Sequence, residues 1–193
     1  TATRALGLVV WPMVNYEADD AIATAVHRWA EDTRLDQVVV CSPDKDFAQV
    51  VKGTTVVCLD RRRGILLDES GVYAKFGVPP GSIPDYLALV GDRSDGIPGI
   101  RGWGPGSTSK VLDRFLHLEE IPADPDAWPT QVRRSATLAK NLAAHREAVL
   151  LYRQLATLST DVPLAEELED LRWHGVPREI WATLCAGLGS EAL

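Results

Sequence analysis

No run of about 20 apolar residues occurs in the chain. The opening TATRALGLVV also lacks a basic stretch followed by an apolar segment and a small-residue cleavage site. Neither a membrane span nor a secretory leader is therefore expected, and the chain reads as soluble and intracellular. Cysteine is scarce: three residues, Cys41, Cys58 and Cys185, lie far apart. That spacing suits neither a disulfide framework nor a thiolate metal site. It fits a reducing compartment, with the thiols serving as small buried hydrophobes. The four histidines, His27, His117, His145 and His174, are scattered and are read as packing or surface residues. An excess of positive charge is missing too. With 20 Lys and Arg against 27 Asp and Glu, the net charge of −7 disfavours a generally basic nucleic-acid-coating protein.

The acids are not spread evenly. Glu17, Asp19, Asp20, Asp44, Asp46, Asp92 and Asp95 by themselves equal the net charge, so the remainder of the chain is neutral. They fall in three short motifs, Glu17-Ala18-Asp19-Asp20, Asp44-Lys45-Asp46 and Gly91-Asp92-Arg93-Ser94-Asp95, each at an element junction instead of along a polar face. Hard divalent ions take oxygen ligands, and a pair held ~3.5–4 Å apart can activate a water and stabilise a leaving oxygen in phosphodiester cleavage. The competing reading is a set of unrelated helix caps and solvated turns. A single Asp-x-Asp pair is weak, but three such clusters favour a shared site.

At 193 residues and 46% hydrophobic, the chain can build one good core. Leu6–Met13 is a candidate strand. Glu17–Trp29 reads as a helix with Ile22, Val26 and Trp29 on one stripe. Gln37–Cys41 is a continuous apolar strand of the doubly buried kind, and it runs directly into Asp44 and Asp46. Phe47–Val51 is a short helix or turn. Thr54–Leu59 and Ile65–Leu67 flank the turn Asp60-Arg61-Arg62-Arg63-Gly64 as a hairpin. Ligands of open α/β sheets bind beyond the carboxyl ends of the strands, where these acids lie.

The texture then becomes helical: Asp68–Phe76 ended by Gly77, a helix opened by Ser82 and Pro84 and running to Val90, and another over Pro105–Phe115. Pro122–Pro129 is a linker. Gln131–Leu158 supports one or two helices, with Val132, Leu138, Leu142, Val149, Leu150 and Leu155 as core candidates. Short helices are expected over Ala165–Leu171 and Arg178–Leu188. The class is α/β followed by all-helical, with residues 1–70 as the α/β part and 71–193 as the helical part.

Between the helices ending at Val90 and starting at Pro105 lies Ile97-Pro98-Gly99-Ile100-Arg101-Gly102-Trp103-Gly104. Glycines permit a tightly folded backbone whose N–H groups can point at phosphate. Gly99, Arg101, Gly102, Gly104, Ser107, Thr108 and Lys110 are the candidate DNA contacts. They would grip the duplex backbone without reading bases. An unliganded αα turn is the plainer alternative, with Trp103 packed beneath it. Arg61–Arg63 could also touch DNA, or simply be a solvated turn.

These residues resemble the bacterial and phage 5′–3′ exonuclease and flap endonuclease family, which includes the 5′ nuclease domain of bacterial DNA polymerase I. Tyr16–Asp20, Ser42–Val50 and Pro84–Gly99 are similar to its three acidic motifs in the right order, and Leu155–Leu164 is similar to a later segment. The resemblance implies a PIN/flap-endonuclease-like partial sheet followed by a helical region with a helix-hairpin-helix (H3TH) at about 84–115. It implies hydrolysis at 5′ flaps, nicks or 5′ ends with Mg²⁺ or Mn²⁺, two or more ions. Glu17 and Asp19 would serve the water-activating site, Asp44 and Asp46 would border both ions, and Asp92 and Asp95 would serve the second. Asp20 would assist through water. A K⁺ at the hairpin, a covalent or separate polymerase partner, a monomeric state and work near the nucleoid in a bacterial cytoplasm are also implied.

Three departures stand out: Pro43 for the usual glycine, Gly96 for the usual asparagine, and Pro105-Gly106 where a basic residue commonly begins the second hairpin helix. The last implies a weaker duplex grip. Family members carry roughly a hundred further residues upstream, with the first strand, more acids and a helical arch. The chain is therefore expected to lack an amino-terminal part and to have little activity by itself. A noncatalytic duplex-binding module and an acidic interaction domain are the rival readings.

Overall fold

The computed structural model describes residues 2–189. It opens with one helical turn, α1 (Ala2–Ala5), followed by α2 (Ala18–Trp29). α2 forms because an alanine-rich segment carries acids in its first turn and His27 and Arg28 in its last, matching the helix dipole at both ends. Glu17 caps it, and the Asp20 side chain accepts the Glu17 N–H at 3.2 Å in a capping box. Its inner face is broader than the expected stripe: Ala21, Ala23 and Thr24 are buried along with Val26 and Trp29.

Strands β1 (Val38–Val40), β2 (Val56–Asp60) and β3 (Ile65–Leu67) make a three-stranded sheet in that order. β1 and β2 are parallel, with Val40 opposite Cys58; β2 and β3 form the expected antiparallel hairpin, with Asp60 opposite Ile65. Asp60 Oδ1 accepts the Arg62 and Arg63 N–H groups at 3.0 Å, which fixes the turn. β1 is an edge strand with Val39 43% exposed, so the reading of this run as doubly buried is corrected.

Leu6–Met13 is not a strand. Gly7 has φ +77°, Pro12 has no N–H to donate, and Trp11 stacks on Trp29 with ring centres 6.3 Å apart while its indole N–H donates to Glu166. The segment is thereby held as irregular chain across α2. Together with Ala21, Val162 and Leu164 it forms a small second apolar cluster.

α3 (Glu69–Phe76) ends at Gly77, φ +69°, as expected, and its Asp68 cap accepts the Gly71 N–H at 2.8 Å. α4 (Ile83–Val90) is apolar apart from Asp85 and Tyr86 and is buried along most of its length, as suits a helix in a core. Ser82 precedes it without making a cap bond. α5 (Pro105–Phe115) and α7 (Arg146–Ala156) pack on α4, α6 (Ser135–Ala144) packs against α7, and α8 (Arg178–Gly187) closes the described chain. The main cluster runs unbroken from Val26, Val40 and Val56 through Leu89 and Leu112 to Val149, so the sheet and the helical part share one core.

Several expectations fail at the periphery. Leu155 is 66% exposed, Ala165–Leu171 yields only a 3₁₀ turn at Leu168–Leu171, and Cys41 is exposed whereas Cys58 and Cys185 are buried. No helix among the described residues is long and apolar enough to cross a membrane.

A charge network pins α4 to its surroundings. Asp85 is 2% exposed, with His117 Nδ1 at 2.9 Å and Arg153 Nη1 at 3.3 Å. Arg153 also pairs with Glu119 at 2.6 Å. A buried carboxylate is tolerated only when so paired, and removing it takes from Arg153 and His117 the partner they share inside the core. Asp85→Ala should lower unfolding free energy by about 3 kcal/mol in urea denaturation. Glu119→Ala, at the solvent side, should cost less than about 1 kcal/mol.

Candidate metal centre

β1 ends just before the second acidic motif. Ser42 Oγ accepts the Asp44 N–H at 3.1 Å, and Asp44 Oδ1 accepts the Asp46 N–H at 3.0 Å, which starts a 3₁₀ helix over Lys45–Val50. Phe47 and Ala48, each 1% exposed, root that turn in the core. Gln49 braces it from outside: its amide donates to the Asp46 and Ala156 carbonyls, and its oxygen accepts the Leu158 N–H at 3.0 Å. Asp46 is thus carried to a nearly buried position, 9% exposed.

The third motif leaves the buried end of α4. Gly91 and Gly99 meet backbone to backbone: a Cβ on Gly99 would stand 2.6 Å from Gly91 N, and one on Gly91 would stand 2.9 Å from Gly99 N. Both have positive φ, so glycine is required on two counts. Asp92 and Ile97 exchange N–H···O bonds of 2.7 Å in each direction, closing a tight loop. Inside it, Asp92 Oδ1 accepts the Ser94 N–H at 3.0 Å and its hydroxyl at 2.6 Å. Asp92 is 5% exposed.

Carboxylate oxygens of Asp46, Asp92 and Asp95 lie within 4.8 Å of one another. Asp46 Oδ1 is buried with no hydrogen-bond donor recorded for it among the described residues, whereas the equally buried Asp92 Oδ2 is met by the Lys45 ammonium. An all-carboxylate donor set in which one buried oxygen lacks a donor and another faces only an ammonium suits a hard divalent cation. Burial first, then the hydrogen bond to Asp95, pushes the Asp46 carboxyl up to about 7, with Lys45 pulling the other way. At Asp92 burial opposes ionisation, but Lys45 and Ser94 outweigh it and hold the carboxyl below its ordinary range. Asp19 is raised by burial, then by Asp44, Glu17, Asp20 and Asp95, which ties the first motif electrostatically to the other two.

Asp20 stands apart in its bonding. Its Oδ1 accepts the Ser159 N–H at 2.8 Å while Oδ2 accepts that of Glu17, so both oxygens hold backbone. Ser159 lies in the later segment of the sequence resemblance, and Thr24 holds the same stretch by accepting the Val162 N–H. Glu17, Asp44 and Asp95 are exposed at the rim. Sequence reasoning passed over Lys45, which pairs with Asp92 and lies 3.7 Å from Asp46, and Ser94, which orients Asp92. Their positions inside the two motifs were the available signal.

The glycine turn leads to a separate hollow of about 390 Å³ at the start of α5, lined by Gly102, Gly104, Ser107, Lys110 and Arg133 among others. Gly99 and Gly102 have φ of +68° and +89°. Arg101 is exposed, with its carbonyl accepting from Asn141, and Lys110 Nζ donates to the Gln131 carbonyl at 3.2 Å. Thr108 corrects an expectation: at 0% exposure its hydroxyl faces the core and cannot reach a ligand in the hollow. Trp103 is buried and donates to the Leu138 carbonyl, so it packs beneath the turn.

Comparison with known proteins finds two family models along the chain. The 5′-3′ exonuclease N-terminal resolvase-like domain matches residues 1–77, and the 5′-3′ exonuclease C-terminal SAM fold matches residues 78–179. Both family domains are represented, so the expectation of a missing amino-terminal part finds no support in these matches. The chain is 37% identical over 162 residues to DNA polymerase I of Caldicellulosiruptor bescii, covering 81% of this chain and 18% of the relative. It is 33% identical over 169 residues to flap endonuclease Xni of Cronobacter sakazakii, covering 88% and 64%. It is also 33% identical over 166 residues to the 5′-3′ exonuclease of Aquifex aeolicus, covering 86% and 53%. The chain thus spans about a fifth of the polymerase and less than two thirds of the shorter relatives. Among solved structures, a bacteriophage T5 flap endonuclease complex with DNA and metal ions aligns with a TM-score of 0.63 at 20% identity, over 78% of this chain and 53% of that one. Zinc-bound T5 5′-exonuclease gives 0.63 at 18%, over 92% and 60%. At those identities the likeness establishes the fold.

The raised carboxyl has a measurable consequence. Asp46 holds its proton more tightly folded than unfolded, so its stabilisation is complete below the ordinary value of 3.8 and fades as pH rises through about 7. Asp19 acts in the same direction, whereas the opposite shift at Asp92 operates only below the ordinary carboxylate range. In chelator, melting temperature should fall by several degrees between pH 5 and pH 8. Asp46→Asn should flatten that slope, and a saturating divalent cation should abolish it.

Proposed function

The chain belongs to the 5′-3′ exonuclease family, and from that premise we propose that it supplies the metal-binding and duplex-gripping parts of a structure-specific 5′ nuclease acting on DNA. The observation that carries this reading is the meeting of carboxylate oxygens of Asp46, Asp92 and Asp95 within 4.8 Å of one another, two of these acids being nearly buried. Relatives named flap endonuclease and 5′-3′ exonuclease, and a structural neighbour described with DNA and metal ions, support it.

Asp46, Asp92 and Asp95 would hold one cation, with Glu17, Asp19 and Asp44 at the rim holding a second; Mg²⁺ or Mn²⁺ fits the oxygen set. When bound, the ions supply Lewis-acid charge that activates water and offsets charge developing on the scissile phosphate. The chain's own part is positioning. The Asp92–Ile97 loop and the Asp44 turn aim fixed carboxylates, and the buried α4 keeps them from spreading. Asp20 orders the site from outside by tying α2 to Ser159.

The hollow at α5 would take a duplex phosphate on Gly104 and Ser107, with Lys110 and Arg101 adding charge and Gly99 and Gly102 allowing close approach. A K⁺ on hairpin carbonyls would strengthen that grip. The substrate class is flapped, nicked or 5′-ended duplex, handled by a monomer at chromosomal DNA in a bacterial cytoplasm. A polymerase, fused or separate, is the natural partner, given the polymerase relatives.

Cleavage of a 5′-flapped duplex in Mg²⁺ or Mn²⁺ is the test. Asp92→Ala and Asp46→Ala should each lower the rate by at least ~100-fold while circular dichroism is unchanged. Duplex binding without metal-dependent cleavage by the unmodified protein would point instead to a noncatalytic DNA-binding module. Lys110→Ala should leave chemistry on bound DNA intact, weaken duplex affinity and reduce the salt slope of binding by about 0.9.

A further inference from the structure

Lys45 stands between the two acids that anchor the cluster. Its ammonium pairs with Asp92 Oδ2, lies 3.7 Å from Asp46 Oδ1, and donates to Ser94 Oγ at 3.3 Å. Both carboxylate atoms are buried, and apart from this ammonium no hydrogen-bond donor is recorded for either among the described residues. The lysine therefore faces the oxygens that a divalent cation would need. Its backbone is fixed in the turn begun by Asp44, but its side chain is 34% exposed, so a rotation of the flexible stem carries the charge into water.

We propose that Lys45 is a built-in counter-cation: in the metal-free protein its ammonium holds the Asp46–Asp92–Asp95 cluster together, and it must leave those oxygens when a divalent ion binds. Three carboxylates within 4.8 Å repel one another, and a single positive charge among them lessens that repulsion. A divalent ion bonded to the same oxygens would stand within a few ångströms of the ammonium, and two cations at that separation repel. The site thus exchanges one internal charge for a stronger external one. Its metal affinity is lowered by the lysine that keeps it assembled.

A bridge that only ties the Asp44 turn to the Asp92 loop would behave differently. Loss of such a bridge would let the carboxylates drift apart and weaken metal binding. A competitor, once removed, strengthens it.

The inference rests on reading these acids as a metal site, and calorimetric titration with Mn²⁺ separates the two. Lys45→Met should bind Mn²⁺ at least roughly tenfold more tightly than the unmodified protein, and Lys45→Arg, which keeps the charge, should return toward the original affinity. In chelator Lys45→Met should melt at a lower temperature, yet gain more on Mn²⁺ addition than the unmodified protein does. Should the methionine variant fail to fold, Lys45→Gln is held to the same criterion. If the unmodified protein binds Mn²⁺ and the neutral variants bind it equally or more weakly, the counter-cation role is overturned while the metal site stands. If none of them binds Mn²⁺, both readings fall.

Discussion

Carboxylates brought within 4.8 Å of one another repel, and partial burial makes that repulsion harder to screen. Most of the local structure near the cluster works against this cost. Asp92 is held by the two-way backbone pairing with Ile97 and by both donors of Ser94, so it cannot rotate away from its neighbours. Asp46 is fixed by the turn that Asp44 starts and by Phe47 beneath it. The high carboxyl pKa of Asp46 and the ammonium of Lys45 are two ways in which a metal-free cluster sheds negative charge. A site arranged like this gains affinity for any small cation of higher charge.

The mechanical foundation is α4. A short helix with nearly every side chain buried has no soft face, so its carboxyl end projects the Gly91–Ile97 loop from a rigid base. The loop approaches α4 so closely that neither Gly91 nor Gly99 has space for a Cβ. The same glycine turn continues to Gly104 and the start of α5, so the hollow and the acidic cluster hang from one piece of backbone. This gives a physical reason for the hollow and the acidic cluster to keep a constant separation: both are referenced to the two ends of a single turn.

Most helices and the β2–β3 hairpin were legible because each has a local cause. Gly77 at a left-handed position stops α3, Asp60 and Gly64 shape the hairpin turn, and acids before an alanine-rich run start α2. Failures cluster where long-range packing decides. Leu6–Met13 has strand composition, but Trp11 finds Trp29 and Glu166, more than 150 residues away in the latter case, and the segment stays irregular. Val39 has the character of a core strand yet lies on the sheet edge, which no local pattern can reveal. Thr108 looked like a hydroxyl donor because spacing does not say which side of a helix meets the core.

Residue chemistry and order alone determined that three acidic motifs and a glycine turn exist, that each interrupts an apolar element, and that oxygen donors are the only plentiful ligands. These are properties of short stretches, set by side-chain type and backbone preference. Tertiary structure decided which acids lie together, that Asp20 uses both oxygens on backbone, and that Lys45 faces buried carboxylate oxygens of Asp46 and Asp92. The reason is distance: Asp46 and Asp92 are far apart along the chain, and their separation in space depends on how α4 seats against the turn after β1. That seating is fixed by burial of apolar surface throughout the core, which is a property of the whole fold.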